Sequence, residues 1–175
     1  MKKSVSAFTL IELLVTVSII GMLLMLGSPM IDRAIRKAES VGCMANQRVI
    51  GQAVHLYAQD NDNHFPMIEG FPSSPIYSGT GEEAGTLAEV LGPYGVDNRT
   101  LRCPSDVKEK NWFAKEGASY MWRPMVDDEL VTAPKVYFRG QERVIPPARI
   151  RLLSDFERVR GHYNILLGDG RVRTY

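Results

Sequence analysis

Ser6-Ala7-Phe8-Thr9-Leu10-Ile11-Glu12-Leu13-Leu14-Val15 opens a run of nineteen residues, Phe8 to Leu26, that holds a single charge, Glu12. As a helix rising about 1.5 Å per residue, this run covers about 29 Å, close to the ~30 Å hydrocarbon core of a bilayer. One carboxylate in such a run is the anomaly. An acidic side chain at the centre of a spanning helix costs about 2.5–3.5 kcal/mol. Glu12 lies near one end, where the cost is lower, yet it still asks for a partner. The bland reading is an acid that snorkels to the interface of an ordinary single-pass anchor.

Lys2 and Lys3 give the run a basic start, as in a secretory signal. A secretory signal, however, has an apolar core of about 7–15 residues with a small-x-small cleavage site after it. Here the run is longer and passes through Gly27-Ser28-Pro29 into further helix-like sequence. The small residue placed for cleavage is Ala7, ahead of the run, and a cut there leaves Phe8 as the new N-terminus.

Lys2-Lys3 followed by Ala7-Phe8-Thr9-Leu10-Ile11-Glu12-Leu13-Leu14-Val15 resembles the class III signal and N-terminal helix of type IV pilins and type II secretion pseudopilins. The family pattern has Gly before the Phe, where this chain has Ala7. Gly21 and Pro29 fall where pilin-like helices carry helix-weakening residues. The resemblance implies cleavage between Ala7 and Phe8 by a prepilin peptidase, N-methylation of Phe8 and assembly into a filament. It also implies a partner for Glu12. The freed amine of Phe8 on a neighbouring subunit would pair with the carboxylate, offset two costly charges and fix the axial register.

The chain has 175 residues, 45% hydrophobic and 23% charged, with a formal net charge of +1. Without the anchor about 145 residues remain, enough for one compact domain. The near-zero net charge gives no overall electrostatic case for nucleic acid. Lys2 and Lys3 precede the run while Arg33, Arg36 and Lys37 follow it, so charge alone does not orient it. An N-terminus in the cytoplasm rests on the leader motif. Two cysteines occur, Cys43 and Cys103, in no C-x-x-C pair, so a zinc site is not expected. Outside the cytoplasm they are a candidate disulfide closing a sixty-residue loop, worth on the order of 4 kcal/mol. Two separate buried thiols are the equal alternative.

From Ile31 the pattern turns amphipathic. Ile31, Ala34, Ile35, Ala38, Val41, Ala45, Val49, Ala53 and Leu56 recur at three and four residues, which predicts one helix from about Thr9 to Gln59 with this stripe on the globular part. Pro29 removes an amide and predicts a kink or frayed turn. Asp60-Asn61-Asp62-Asn63 ends the helix; its acids lack the full calcium-loop spacing and read as a polar turn. Residues 68–85 read as a surface loop. Thr86 with Glu89 predicts a capping box for a helix over Leu87 to Leu91.

Cys43-x-x-Asn46, Tyr57-Ala58-Gln59-Asp60-Asn61, Leu101-Arg102-Cys103-Pro104-Ser105-Asp106 and Ser119-Tyr120-Met121-Trp122 resemble the globular part of bacterial pseudopilin-G-like proteins. Read without that resemblance, Cys-Pro-Ser-Asp is a turn. The last third predicts strands over 135–138, 150–154, 163–167 and 172–175, with Gly168-Asp169-Gly170-Arg171 as a hairpin turn. His162 followed by Asp169-Gly170 is similar to the family's C-terminal His and Asp-Gly signature, at shorter spacing.

No Gly-x-Ser-x-Gly, phosphate loop, dinucleotide fingerprint or His-Glu-x-x-His is present, so no catalytic residue, cofactor or metal is expected. A His162, Asp155 and Asp169 set is the one grouping that acid–base or metal chemistry would use, and hairpin turns use Asp-Gly without any. Arg171 and Arg173 alternate onto one strand face beside Arg149 and Arg151. That face reads as solvated or facing acids of a neighbouring subunit before it reads as DNA-binding.

The sequence thus predicts an α+β, pilin-like fold: a leader peptide over 1–7, a transmembrane helix over 8–30, its amphipathic continuation over 31–60, and a globular head over 61–175. The function expected is a structural, non-enzymatic subunit of a type II secretion pseudopilus or type IV pilus-like filament. Its expected partners are the prepilin peptidase, identical or homologous pilin-like subunits, an inner-membrane assembly platform and membrane lipid; nucleic acid is not expected. It would sit in the bacterial inner membrane, N-terminus cytoplasmic and head outside, before entering a periplasmic or surface filament. The alternatives are a membrane-anchored, non-polymerising head that binds a ligand or DNA, and, last, an envelope enzyme.

Overall fold

A computed structural model describes residues 8–70, 84–106, 111–138, 140–156 and 163–175; at 26–29 and 138 it describes the backbone alone. The leader residues 1–7 with Ala7, most of the expected surface loop and His162 lie outside the described residues. The chain divides into two compact units, Met1–Ala38 and Glu39–Tyr175.

Helix α1 spans Leu10–Asp60 and crosses that division. In the first unit its large hydrophobic side chains from Phe8 to Met25 are all exposed, from 48% at Val15 to 83% at Met25. The helix bends by 41° across residues 26–29, the segment that holds Pro29. A proline there removes one helical hydrogen bond and crowds the preceding turn. Among the described residues no single straight helix is long and apolar enough to cross a membrane; the bent pair Leu10–Met25 and Met30–Asp60 satisfies length and composition.

In the second unit α1 lies against an antiparallel sheet, in the long-helix-on-small-sheet α+β architecture that the sequence predicts. Its buried stripe is Ser40, Cys43, Gln47, Ile50, Val54 and Ala58, at three- and four-residue steps. This corrects the phase of the predicted stripe. Ala53 is buried, but Val41, Ala45, Val49 and Leu56 face out. The reason is that position 47 is polar in type yet fully buried: Gln47 Nε2 donates to Asp155 Oδ1 at 2.8 Å, while Gln47 Oε1 has no hydrogen-bond partner among the described residues. Close approach decides the rest. A side chain on Gly51 would place its Cβ 2.8 Å from Leu166 Cδ1, and one on Gly42 would meet Pro104 Cγ at 3.0 Å.

Four strands form the sheet in the order β1-β4-β5-β6, all antiparallel: β1 Tyr120–Trp122, β4 Arg151–Asp155, β5 Asn164–Leu167 and β6 Val172–Thr174. Tyr120 pairs with Asp155, Leu153 with Leu166, and Leu166 with Val172. Every residue of β5 is buried, which is why it reads as an unbroken Ile-Leu-Leu run rather than an alternating strand. The β5–β6 hairpin turns at Gly168–Gly170, with Gly170 at φ 79°. Strands β2 Lys135–Phe138 and β3 Gln141–Val144 make a separate hairpin. Strand β3 is exposed along its whole length and polar up to Val144, so no hydrophobic alternation marks it.

The capping box at Thr86 opens α2, Leu87–Leu91, with the Glu89 carboxylate 2.9 Å from both the Thr86 amide and its hydroxyl. A further short helix, α3 Trp112–Glu116, has no apolar period of its own. Asn111 caps it, its Oδ1 accepting from the Ala114 amide at 3.3 Å, and Gly117 at φ 75° closes it, while Asp106 accepts from the amides of Trp112 (3.0 Å) and Phe113 (2.8 Å) and from the Ser119 hydroxyl (2.7 Å). Cys43 of α1 and Cys103 are disulfide-bonded, and Ser105 Oγ lies 3.3 Å and 2.9 Å from the two sulfurs.

Candidate functional site

The first candidate is the start of α1. Thr9 is followed three residues later by Glu12, the capping-box spacing. The structure makes the box: Glu12 Oε2 accepts from the Thr9 amide at 2.9 Å and from the Thr9 hydroxyl at 2.7 Å, and the Glu12 amide donates to Thr9 Oγ1 at 3.4 Å. Within one chain, then, the lone acid of the apolar run accepts from the Thr9 amide, and the Thr9 hydroxyl takes the Glu12 amide that the helix start leaves open. Sequence reading finds the same pattern at Thr86 and Glu89 and misses it here, where the hydropathy of the run draws attention to cost instead of capping. Phe8, Ile11, Glu12, Val15 and Thr16 share one helix face, so the carboxylate sits among apolar groups. Gly21 has no neighbour within 4 Å of where a Cβ would stand, so packing inside this chain does not require glycine there.

The second candidate is the acid pair of the imagined acid–base set. Asp155 is 3% exposed and accepts from Gln47 Nε2 and from the Asn164 amide, both at 2.8 Å. Asn164 Oδ1 in turn accepts from the Thr174 hydroxyl at 2.7 Å. This network ties α1 to β4, β5 and β6. Burial pushes the Asp155 carboxyl up to about 6, outweighing the two N–H bonds that favour its charged form. Asp127 is also pushed up to about 6 by burial, against a 2.8 Å bond from Trp122 Nε1. Asp169 stands elsewhere, in the hairpin turn, where it pairs with Arg171 of the same turn. Asp155 and Asp169 therefore serve separate structural contacts, and His162 lies outside the described residues.

The basic face divides as well. Arg171 is taken by Asp169, while Arg149 and Arg151 line a cavity with Arg123 from the end of β1. Arg123 is not legible as a member of this group, because it is distant in sequence and only the β1–β4 pairing brings it there. At Asp60–Asn63 the polar turn forms with Asp62 and Asn63 at positive φ, and Asn61 Nδ2 donates to the Tyr57 carbonyl at 2.8 Å. Among the described residues no group of three or more His, Cys, Asp or Glu is arranged to hold a metal.

No curated protein and no solved structure matches the chain. Residues 2–28 match the family model of the prokaryotic N-terminal methylation motif, so this chain carries a prepilin-type N-terminal segment spanning Ala7, Phe8 and Glu12.

Proposed function

We propose that the protein is a prepilin-type structural subunit, cut between Ala7 and Phe8 by a prepilin peptidase, N-methylated on Phe8, and assembled through its apolar helix into a type II pseudopilus or type IV pilus-like filament. One observation carries the reading: a methylation-type N-terminus continues directly into a helix whose large apolar side chains from Leu10 to Met25 have no cover among the described residues. Such a surface needs lipid, other copies of itself, or each in turn. The precursor sits in the inner membrane with its head outside the cytoplasm, and the assembly platform moves subunits into the filament. In the filament, Glu12 exchanges its Thr9 contacts for the Phe8 amine of a neighbour, so that the two charges offset each other in an apolar core. Heads related by a non-closing heterologous contact then form a helical array.

The test is co-expression with a prepilin peptidase, followed by mass spectrometry of the N-terminal peptide and electron microscopy of sheared filaments. N-methylated Phe8 together with fibres supports the reading. Material that keeps Lys2 and Lys3 and stays monomeric in lipid overturns it. Glu12→Ala should still insert in the membrane and fail to enter filaments beside the wild type.

A further inference from the structure

The disulfide joins Cys43 of α1 to Cys103 of the segment 97–106, and the two residues are 0% and 3% exposed. The chain itself fills the space around the sulfurs. The Ser105 hydroxyl lies 2.9 Å from the Cys103 sulfur and 3.3 Å from the Cys43 sulfur, and Ser105 is itself buried. Pro104 lies against the helix beside Cys43, where a Cβ on Gly42 would stand 3.0 Å from its Cγ. Leu101, two residues before Cys103, is fully buried.

The segment is also held on the helix by contacts that need no sulfur. Asn46 Nδ2 donates to the Arg102 carbonyl at 2.9 Å and to the Arg99 carbonyl at 3.4 Å. Asp97 shapes the segment from within, its carboxylate accepting from the Thr100 amide and hydroxyl, both at 2.8 Å. Burial of Leu101 adds an apolar anchor. Docking the segment on α1 and joining the two cysteines are therefore distinct steps.

Their order matters chemically. Thiol–disulfide exchange requires a thiolate to reach the sulfur that it attacks, so its rate depends on access. The closed head gives an outside reagent no access to either sulfur. Docking first would shut both thiols away from an oxidant. Joining first, then docking, shuts the finished bond away from a reductant.

We infer that the Cys43–Cys103 bond is a permanent latch, installed on the open chain by an extracytoplasmic thiol oxidase of the dithiol–disulfide class before the segment 97–106 closes on α1. This rests on the function proposed above only for the place of the head outside the cytoplasm. One thiolate of the chain attacks the oxidase disulfide, forming a mixed disulfide and releasing one oxidase thiol. The second thiolate of the chain attacks that mixed bond, closing Cys43–Cys103 and releasing the second oxidase thiol. Two electrons and two protons pass to the oxidase, which leaves as a dithiol. The partner implied is thus an oxidase that engages the head before it folds, and the bond does not respond to redox conditions afterwards.

The experiment uses the full chain in detergent micelles and counts free thiols by gel shift with maleimide-polyethylene glycol. Oxidised chain is treated with dithiothreitol, natively and in urea. Native reduction should be slower by about a hundredfold or more, because only opened molecules react. Reduced chain is then diluted out of urea, and a purified periplasmic dithiol oxidase is added at dilution or after fluorescence of buried Trp122 reports closure. Oxidation should be slower in the second case by a similar factor. In cells, pulse-labelled chain should gain the bond quickly in a host with such an oxidase and not in the same host without it. The inference is overturned when native reduction keeps pace with reduction in urea, when closed reduced chain oxidises as fast as open chain, or when the bond forms equally fast in both hosts. A bond in neither host refutes the extracytoplasmic placement and the oxidase with it. None of these measurements depends on cleavage at Ala7 or on fibres, so failure of filament assembly is told apart from failure of the latch.

Discussion

Replacing the Asp155 carboxylate by a carboxamide, Asp155→Asn, tests the buried network that joins the helix to the sheet. Asp155 is 3% exposed and has no cation among its hydrogen-bond partners. Its carboxyl rises from 3.8 to about 6, so the folded state holds a proton that the unfolded chain has already released. The sign follows from linkage. The stabilisation is fully present below pH 3.8 and is lost as pH rises through about 6. A displacement of this size, at about 1.4 kcal/mol per unit, corresponds to about 3 kcal/mol across that window. Asp127 acts in the same direction, because burial raises it too. Glu89 and Asp97, held below their ordinary values first by the amides of Thr86 and Thr100, act in the opposite direction and at lower pH.

The carboxamide of Asp155→Asn would accept from one of the two donors and turn its own N–H groups toward the other, which lowers the stability of the variant by a fixed amount. That offset does not change with pH, and neither does the Asp127 contribution, which both proteins share. The readout is therefore the stability difference, wild type minus Asp155→Asn, from urea unfolding at pH 4, 5, 6 and 7. Fluorescence of buried Trp122 follows the transition. The difference should shrink by about 2 kcal/mol between pH 4 and pH 7, since at pH 4 the unfolded chain has already released part of the proton. Parallel pH profiles, or a difference that grows with pH, would refute the claim that burial outweighs the two N–H bonds.

Three further outcomes are expected. Cys43→Ser/Cys103→Ser opens a sixty-residue loop and should cost about 4 kcal/mol, read as a lower urea midpoint with an altered slope. Gly168→Ala places a Cβ 2.9 Å from the Pro147 carbonyl oxygen, a backbone atom, and should cost about 1–3 kcal/mol in the same assay. Gly21→Ala meets nothing within 4 Å, so it should leave head unfolding unchanged and raise helix content in micelles by circular dichroism, helix propensity gaining about 1 kcal/mol.

What the sequence makes legible depends on whether a pattern is local. Helix α1, α2 and the Gly168–Gly170 hairpin carry their own signals: an apolar run, a capping box and a positive-φ glycine. Strand β3 carries none, because Gln141, Glu142 and Arg143 leave no apolar alternation, and helix α3 has only its caps, Asn111 and Gly117, with Asp106 holding its first amides from outside its own span. The phase of α1 fails for a related reason. Hydropathy places Val41, Ala45 and Val49 inside and Gln47 outside. The fold does the reverse, since Asp155 and the Asn164 carbonyl accept from Gln47 while a disulfide draws Cys43 inward. The acceptors for the Gln47 amide nitrogen, Asp155 and the Asn164 carbonyl, are distant in sequence, and nothing near position 47 announces them.

The same distinction separates the N-terminal segment from the basic face. Phe8, Thr9 and Glu12 are contiguous, so both the methylation motif and the helix cap are written in one short stretch. The arginine-lined cavity is assembled from residues 123, 149 and 151. Counting charges along the last third groups Arg149 and Arg151 with Arg171 and Arg173 on strand alternation alone. Pairing removes Arg171, whose charge Asp169 meets within the turn, and the β1–β4 register supplies Arg123 in its place. The functional weight of an arginine here depends on which carboxylate lies within reach. Reach is set by strand register, so a basic face inferred from composition needs each guanidinium traced to its acceptor before a ligand is assigned to it.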